Sequence, residues 1–250
     1  MNPSAVGFES GACGLKGILH LPEARVPGPG FVCLHGLTLD HSQFSGLAEM
    51  AADAGVACLR FNMRGHGDSG GKLEEQGFED QVTDAAAALD FLAARPEIDP
   101  ARVGLLGFSL GGAVAAVLSR RKAFKALALW GSLLDTKSWT RLRIKFYGEP
   151  VDGILKIWDQ IPVSERLFSE AIATDPFADA LAFPGPLFAA HGGRDRNHPP
   201  EKSAELVAER RALGLPTESF FPEASGHKFL NEPDHGQLLE KTLAFFKASL

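Results

Sequence analysis

Short apolar runs and longer amphipathic stretches take turns along this chain. Residues 6–10 and 15–21 read as a leading strand pair around Gly11 and Gly14, and Pro27-Gly28-Pro29-Gly30 punctuates before the apolar run 31–35. Segment 43–54 has helical spacing, 56–62 is again a strand, and 79–95 predicts a helix with acidic residues in its first turn. The run 103–108 follows the turn-forming Asp99-Pro100 and leads into 110–121, which lacks proline, is rich in alanine and ends on basic residues. That pattern predicts a buried strand running into a buried helix. Strands at 126–130, 187–191 and 218–222 and helices at 199–213 and 233–250 complete the series. Apolar strands separated by helices imply an α/β fold, a mostly parallel central sheet with helices on both faces.

One interval breaks the alternation. Residues 132–186 separate two strands by about 55 positions, far beyond the usual few-residue connection. The expected organisation is a core formed by 1–131 and 187–250, with 132–186 inserted as a small, partly helical cap over the strand ends. The insertion carries Trp139, Phe146, Trp158, the chain's single tyrosine Tyr147, and a basic cluster of Lys137, Arg141, Arg143 and Lys145. Trp139, Tyr147 and Trp158 are candidate substrate-binding surfaces; the alternative is that these aromatics form a small core of their own. The basic cluster reads as a solvated surface, with attraction of an acidic substrate as the other reading.

Composition narrows the field. A chain of 250 residues with 45% hydrophobic and 22% charged content is that of one globular domain, and a net charge of −6 argues against nucleic acid and membrane surfaces as partners. Met1-Asn2-Pro3-Ser4 shows neither a basic stretch nor an apolar core, so a cytoplasmic location is expected. Cys13, Cys33 and Cys58 lack metal-ligand spacing and read as buried free thiols; no metal and no organic cofactor is expected.

Two serines sit in a Gly-x-Ser-x-Gly frame: Gly67-Asp68-Ser69-Gly70-Gly71 and Gly107-Phe108-Ser109-Leu110-Gly111. The letters alone carry little weight in a chain with 27 glycines. Ser109 lies where a strand hands over to a helix, the setting that raises a serine Oγ above the sheet edge on a sharp turn. Ser69 lies in a glycine-rich stretch, an extended loop after a strand. Ligands bind at the carboxyl ends of parallel strands. There stand His35-Gly36-Leu37-Thr38, His191-Gly192-Gly193-Arg194-Asp195 and Ala224-Ser225-Gly226-His227. A serine needs a histidine to take its proton and a carboxylate to orient that histidine, and the order Ser109, Asp195, His227 is the order this elbow type uses.

Taken together, His35-Gly36, the loop Arg64-Gly65-His66-Gly67-Asp68-Ser69, Gly107 to Gly111, His191-Gly192 with Asp195, and Gly226-His227 resemble the α/β-hydrolase family over essentially the whole chain. The resemblance implies that Ser109 is the nucleophile, His227 the base and then acid, and Asp195 the orienting carboxylate, with the backbone N–H groups of Leu37 and Leu110 as the oxyanion hole. Within the family the chain looks like bacterial carboxylesterases of the feruloyl or cinnamoyl esterase type, acting on short-chain or aromatic esters. The alternatives are a monoacylglycerol lipase or thioesterase-type hydrolase, or a non-catalytic ligand-binding member of the fold. The expected partner is a small-molecule ester, with a homodimer left open. Rival assignments are Asp135 for the acid and His66, His198 or His235 for the base. His35 and His191 read as structural hydrogen-bonding groups, and Arg64 and Asp68 as structural or solvated charges.

Overall fold

The computed structural model describes residues 3–23, 27–158 and 160–250; Met1 and Asn2, part of the N-terminus read for a leader, lie outside them. An eight-stranded sheet is built from β1 (Ser4–Ser10), β2 (Cys13–His20), β3 (Gly28–Leu34), β4 (Ala57–Asn62), β5 (Ile98–Phe108), β6 (Ala126–Trp130), β9 (Leu187–Ala190) and β10 (Thr217–Phe220), the numbers β7 and β8 belonging to a separate hairpin described below. Its strand order is β1-β2-β4-β3-β5-β6-β9-β10. The pairs β1/β2 and β2/β4 are antiparallel, and every pair from β4 to β10 is parallel.

The central strands are apolar at nearly every position because both sheet faces are covered. Val32, Leu34, Leu105, Leu127, Leu129, Leu187 and Ala189 point to one core, packed with α2 (Phe78–Ala93) and α3 (Leu110–Leu118). Their neighbours Phe31, Cys33, Leu106, Phe108, Ala128, Trp130, Phe188 and Ala190 point to the other, under α1 (Ser45–Asp53) and α8 (Asp234–Ser249). Strand periodicity thus divides one run of apolar letters between two cores. Cys33 and Cys58 are buried free thiols, and Cys13 is a partly exposed one. Among the described residues no helix is long and apolar enough to cross a membrane.

The insertion is more than helical. It holds α4 (Thr136–Tyr147), a hairpin of β7 (Ile154–Ile157) and β8 (Ile161–Ser164), α5 (Glu165–Ala171) and α6 (Pro176–Leu181). The hairpin departs from the helical expectation: its strands have four residues each, too short for a period-2 signal, and positive φ at Asp152, Gly153, Trp158 and Gln160 turns the chain around them. Leu155, Ile157, Val163, Leu167 and Phe168 join the main core, so the insertion is packed onto the sheet's helical layer. Its exit is pinned by α7 (Glu201–Ala212), whose fully buried Arg210 donates hydrogen bonds to the carbonyl oxygens of Ala180, Leu181, Phe183 and Gly185.

Candidate active site

Ser109 occupies the turn between β5 and α3 with φ 56° and ψ −119°, a conformation that a residue with a side chain adopts only when its surroundings impose it. They do so on both sides. The Ser109 N–H donates to Trp130 O at 2.9 Å, and Ser109 O accepts from Gly112 N and Leu133 N at 3.0 Å each. A Cβ at Gly107 would strike the backbone of Gly111, and one at Gly111 would strike the carbonyl oxygens of Leu34 and His35. Only glycine at those two positions lets strand and helix close around the serine.

Two further strand ends, those of β9 and β10, bring their side chains to this turn. His227 Nε2 lies 3.0 Å from Ser109 Oγ, and His227 Nδ1 lies 2.6 Å from Asp195 Oδ2. The Asp195 carboxylate is saturated with donors: Oδ2 also accepts from His191 Nε2 at 3.0 Å, and Oδ1 accepts from the backbone N–H groups of Asn197 and His198 at 2.8 and 3.1 Å. Burial by itself would raise its pKa, but the hydrogen bonds from His191 and His227 and the His198 backbone N–H outweigh burial and hold the carboxyl well below the usual range. Asp195 is therefore an anion at neutral pH. The backbone N–H groups of Leu37 and Leu110 flank the same cavity and donate to no acceptor among the described residues.

Residues 42–250 match the prolyl oligopeptidase family. The chain belongs to that family. Its fold is the α/β-hydrolase fold, matched across 98% of this chain and 99% of the other by ferulic-acid-bound Est1E from Butyrivibrio proteoclasticus, at TM-score 0.85 and 20% identity. An esterase domain of a Rhodothermus marinus protein aligns over 100% of this chain and 99% of its own with TM-score 0.77 and 22% identity. Among curated sequences, human Protein ABHD12B is 31% identical over 190 residues, 73% of this chain and 50% of that protein. Thiohydrolase aneE of Aspergillus aculeatus is 37% identical over 103 residues, 40% of this chain and 32% of that protein. The chain spans about a third to a half of the length of such relatives.

In this prolyl oligopeptidase family member the loop after β4 is a support for the site. His35 Nε2 accepts from Met63 N at 3.0 Å and its Nδ1 donates to Gly36 O. His66 Nε2 accepts from Thr38 N at 3.3 Å and its Nδ1 donates to Arg64 O. The turn carrying Leu37, with Thr38 at φ 63°, is thereby clamped from below. Arg64 is bound by Asp80 and Asp84, and Asp68 accepts from Asn62 Nδ2, so both charges serve the loop. Ser69 Oγ accepts from Lys16 N at 2.9 Å and donates to Asn62 O at 2.5 Å. Asp135 caps α4 by accepting from Ser138 N.

A cavity of about 210 Å³ opens above Ser109, walled by Leu37, Leu110, Trp139, Arg143, Trp158 and His198 among others. Trp139 is buried and stacks on Phe168 at 5.1 Å, so it serves core and cavity together. Tyr147, expected beside the two tryptophans, packs against the hydrophobic core and is not among the residues walling the cavity. Tyr147 is the last residue of α4, two turns and about 12 Å along the helix axis from Trp139, beyond the stretch that walls the cavity. Conversely, His198 lies nearer the chemistry than its position before a helix suggests: its Nε2 is 3.3 Å from Ser109 Oγ and its ring stands edge-on to His227. Burial, then the neighbouring His227, lower its pKa to about 3. Asp195, three residues before, is the available signal, because its Oδ1 holds the His198 backbone.

Proposed function

We propose that the protein is a serine carboxylesterase that hydrolyses short-chain or aromatic carboxylic esters through an acyl-enzyme. The carrying observation is the unbroken line from Asp195 Oδ2 to His227 Nδ1 and from His227 Nε2 to Ser109 Oγ, at 2.6 and 3.0 Å. A serine hydroxyl is a weak nucleophile until a base takes its proton. His227 is that base: the anionic Asp195 fixes the proton on Nδ1, leaving Nε2 free to accept from Oγ–H. His198 has no carboxylate on its ring, and with the proton on its Nε2 it donates to the Oγ lone pair while staying uncharged. Two imidazoles on one hydroxyl thus take opposite roles.

Oγ adds to the substrate carbonyl carbon, and the C=O electrons move to an oxyanion. The free N–H groups of Leu37 and Leu110 and the α3 N-terminus stabilise it. Collapse expels the alcohol, which takes the proton from His227. Water then attacks the acyl-enzyme with His227 again as base, releasing the acid and restoring Ser109.

The cavity supports compact substrates. About 210 Å³ lies below the roughly 300–1,000 Å³ of sites that enclose drug-sized ligands, so a short or single-ring acyl group fits better than a long chain. Trp139 and Trp158 add aromatic surface to the cavity wall, which favours hydroxycinnamoyl-type esters. The similarity to a thiohydrolase supports thioesters as a second reading, since the same steps cleave an acyl–sulfur bond. A serine-reactive phosphonate should label the protein, and a screen of p-nitrophenyl esters of increasing chain length beside methyl ferulate and an acyl thioester should peak on short or aromatic acyl groups. Preference for palmitoyl esters would contradict the compact-pocket reading, and absence of both labelling and turnover would remove the enzyme itself.

A further inference from the structure

Arg143 differs from the other inward-facing arginines. Arg64 is ion-paired to two aspartates, Arg210 donates to four carbonyl oxygens, and Arg60 donates through Nε to His20. The half-buried Arg143 makes no salt bridge among the described residues, and its Nε is buried without a hydrogen-bond partner. What it has instead is aromatic packing: its guanidinium carbon lies 5.2 Å from the Trp158 ring centroid and 5.7 Å from that of Trp139. Indole faces hold a guanidinium in place while its N–H edge stays free. Stacking accounts for the position of the group and leaves its missing acceptor unexplained, and a desolvated donor without an acceptor is costly.

The two Nη groups of Arg143 likewise have no hydrogen-bond partner among the described residues, and they are not shut off from solvent as Nε is. Arg143 walls the cavity above Ser109, and so does Lys228, whereas among the described residues no Asp or Glu stands on that wall. This is a cationic cavity in a chain of net charge −6. We propose that Arg143 is a specificity-determining residue that receives a carboxylate carried by the substrate, so that the preferred ester is an anionic one. The proposal rests on the reading of Ser109 as nucleophile and names the substrate class within it: a short or aromatic ester that bears a free carboxylate. A planar two-oxygen anion matches the guanidinium fork, which binds it through two parallel hydrogen bonds. The small cavity keeps that carboxylate close to the scissile carbonyl. Hydrolysis itself is unchanged, with water dividing the ester into acid and alcohol and the bound carboxylate remaining on one product.

The test compares two near-isosteric pairs, because the charge could lie on either side of the ester. Mono-p-nitrophenyl adipate against p-nitrophenyl hexanoate places it on the acyl side, and m-acetoxybenzoate against phenyl acetate places it on the alcohol side. Arg143→Met should lower kcat/KM for one of the charged esters about 10- to 100-fold more than for its neutral partner, the range for a hydrogen bond to a charged group. The loss should fall mainly on KM, and Arg143→Lys should recover part of it. Equal losses on charged and neutral esters, or no added loss on either charged ester, overturn the proposal. Should the Met variant fail to fold, the Lys variant carries the same comparison, with a smaller selective loss expected and an equal loss overturning it. Hydrolysis of the neutral esters tests the nucleophile separately: none by the folded wild type sinks the esterase reading, while turnover without charge discrimination sinks only the role of Arg143.

Discussion

The two Gly-x-Ser-x-Gly segments spell nearly the same motif and live in opposite environments. Ser69 belongs to a loop whose hydroxyl is spent on the backbone, accepting from Lys16 N and donating to Asn62 O. Ser109 is held at positive φ, and its hydroxyl faces two imidazoles and an open cavity. One hydroxyl ties chain to chain; the other is kept free of backbone partners. The lesson is that the glycines mean different things. Around Ser109 they permit a close approach of strand and helix, whereas Gly65, Gly67 and Gly71 supply positive φ to a loop that props the Leu37 turn from beneath.

The largest test of this contrast is a pair of alanine variants. Ser109→Ala should lower kcat for p-nitrophenyl acetate by roughly 10⁶ and abolish phosphonate labelling, the scale seen when a triad serine is removed. Ser69→Ala should keep the label and cost about 1–2 kcal/mol of unfolding free energy, since it breaks hydrogen bonds and no chemistry. Reversed outcomes would exchange the two serines.

Next in size is the carboxylate. Asp195→Asn should lower kcat by roughly 10⁴ through loss of the correct His227 tautomer. Asp135→Asn, which touches only the N-cap of α4, should cost at most about 1–2 kcal/mol of stability and little turnover. Steady-state kinetics with urea unfolding on both variants separates the two kinds of loss.

Glycine function can be read through stability. Gly111→Ala should destabilise the fold by about 3 kcal/mol or more, because its Cβ would meet two carbonyl oxygens that cannot retreat. Gly11→Ala, at positive φ but in open space, should cost only about 1 kcal/mol. Thermal melts of the two variants would distinguish close approach from backbone freedom, and equal shifts would deny it.

The remaining test is acid sensitivity. Burial pushes both His35 and His198 down to about pKa 3, whereas an unfolded chain protonates its histidines near pH 6.5. Between those values the unfolded state binds protons that the folded state refuses, so stability falls as pH falls from about 6.5 toward 3. Each imidazole adds a slope approaching about 1.4 kcal/mol per pH unit below pH 6. The depressed Asp195 does not offset this, because its contribution is fully present above the unfolded carboxyl value and is lost only as pH drops below it. Urea unfolding at pH 7, 6 and 5 should show the slope, and His198→Phe should shallow it by one such increment; an unchanged slope would place His198 in water.

Much of this was written in local chemistry. The strand-to-helix handover at Ser109, the alternation that makes a parallel sheet, and the glycine-rich loop after β4 are all short-range patterns, set by backbone sterics and side-chain periodicity within a few residues. His227 and Asp195 were legible because a parallel sheet gathers its strand ends on one edge, which converts sequence order into spatial proximity. Tertiary structure alone decided the rest. The β7–β8 hairpin depends on packing of Leu155, Ile157 and Val163 into the main core, and four-residue strands carry too little pattern to announce it. That Tyr147 packs on the core while Trp139 serves both core and cavity was a matter of which turns of α4 lie over the cavity. The second imidazole on Ser109 is a pairing across 89 residues, and Trp158 reaches Arg143 only through the way the chain folds back between α4 and the β7–β8 hairpin. No local signal encodes such contacts, because they exist only once the sheet, its helices and the insertion have set the walls that bring the groups together.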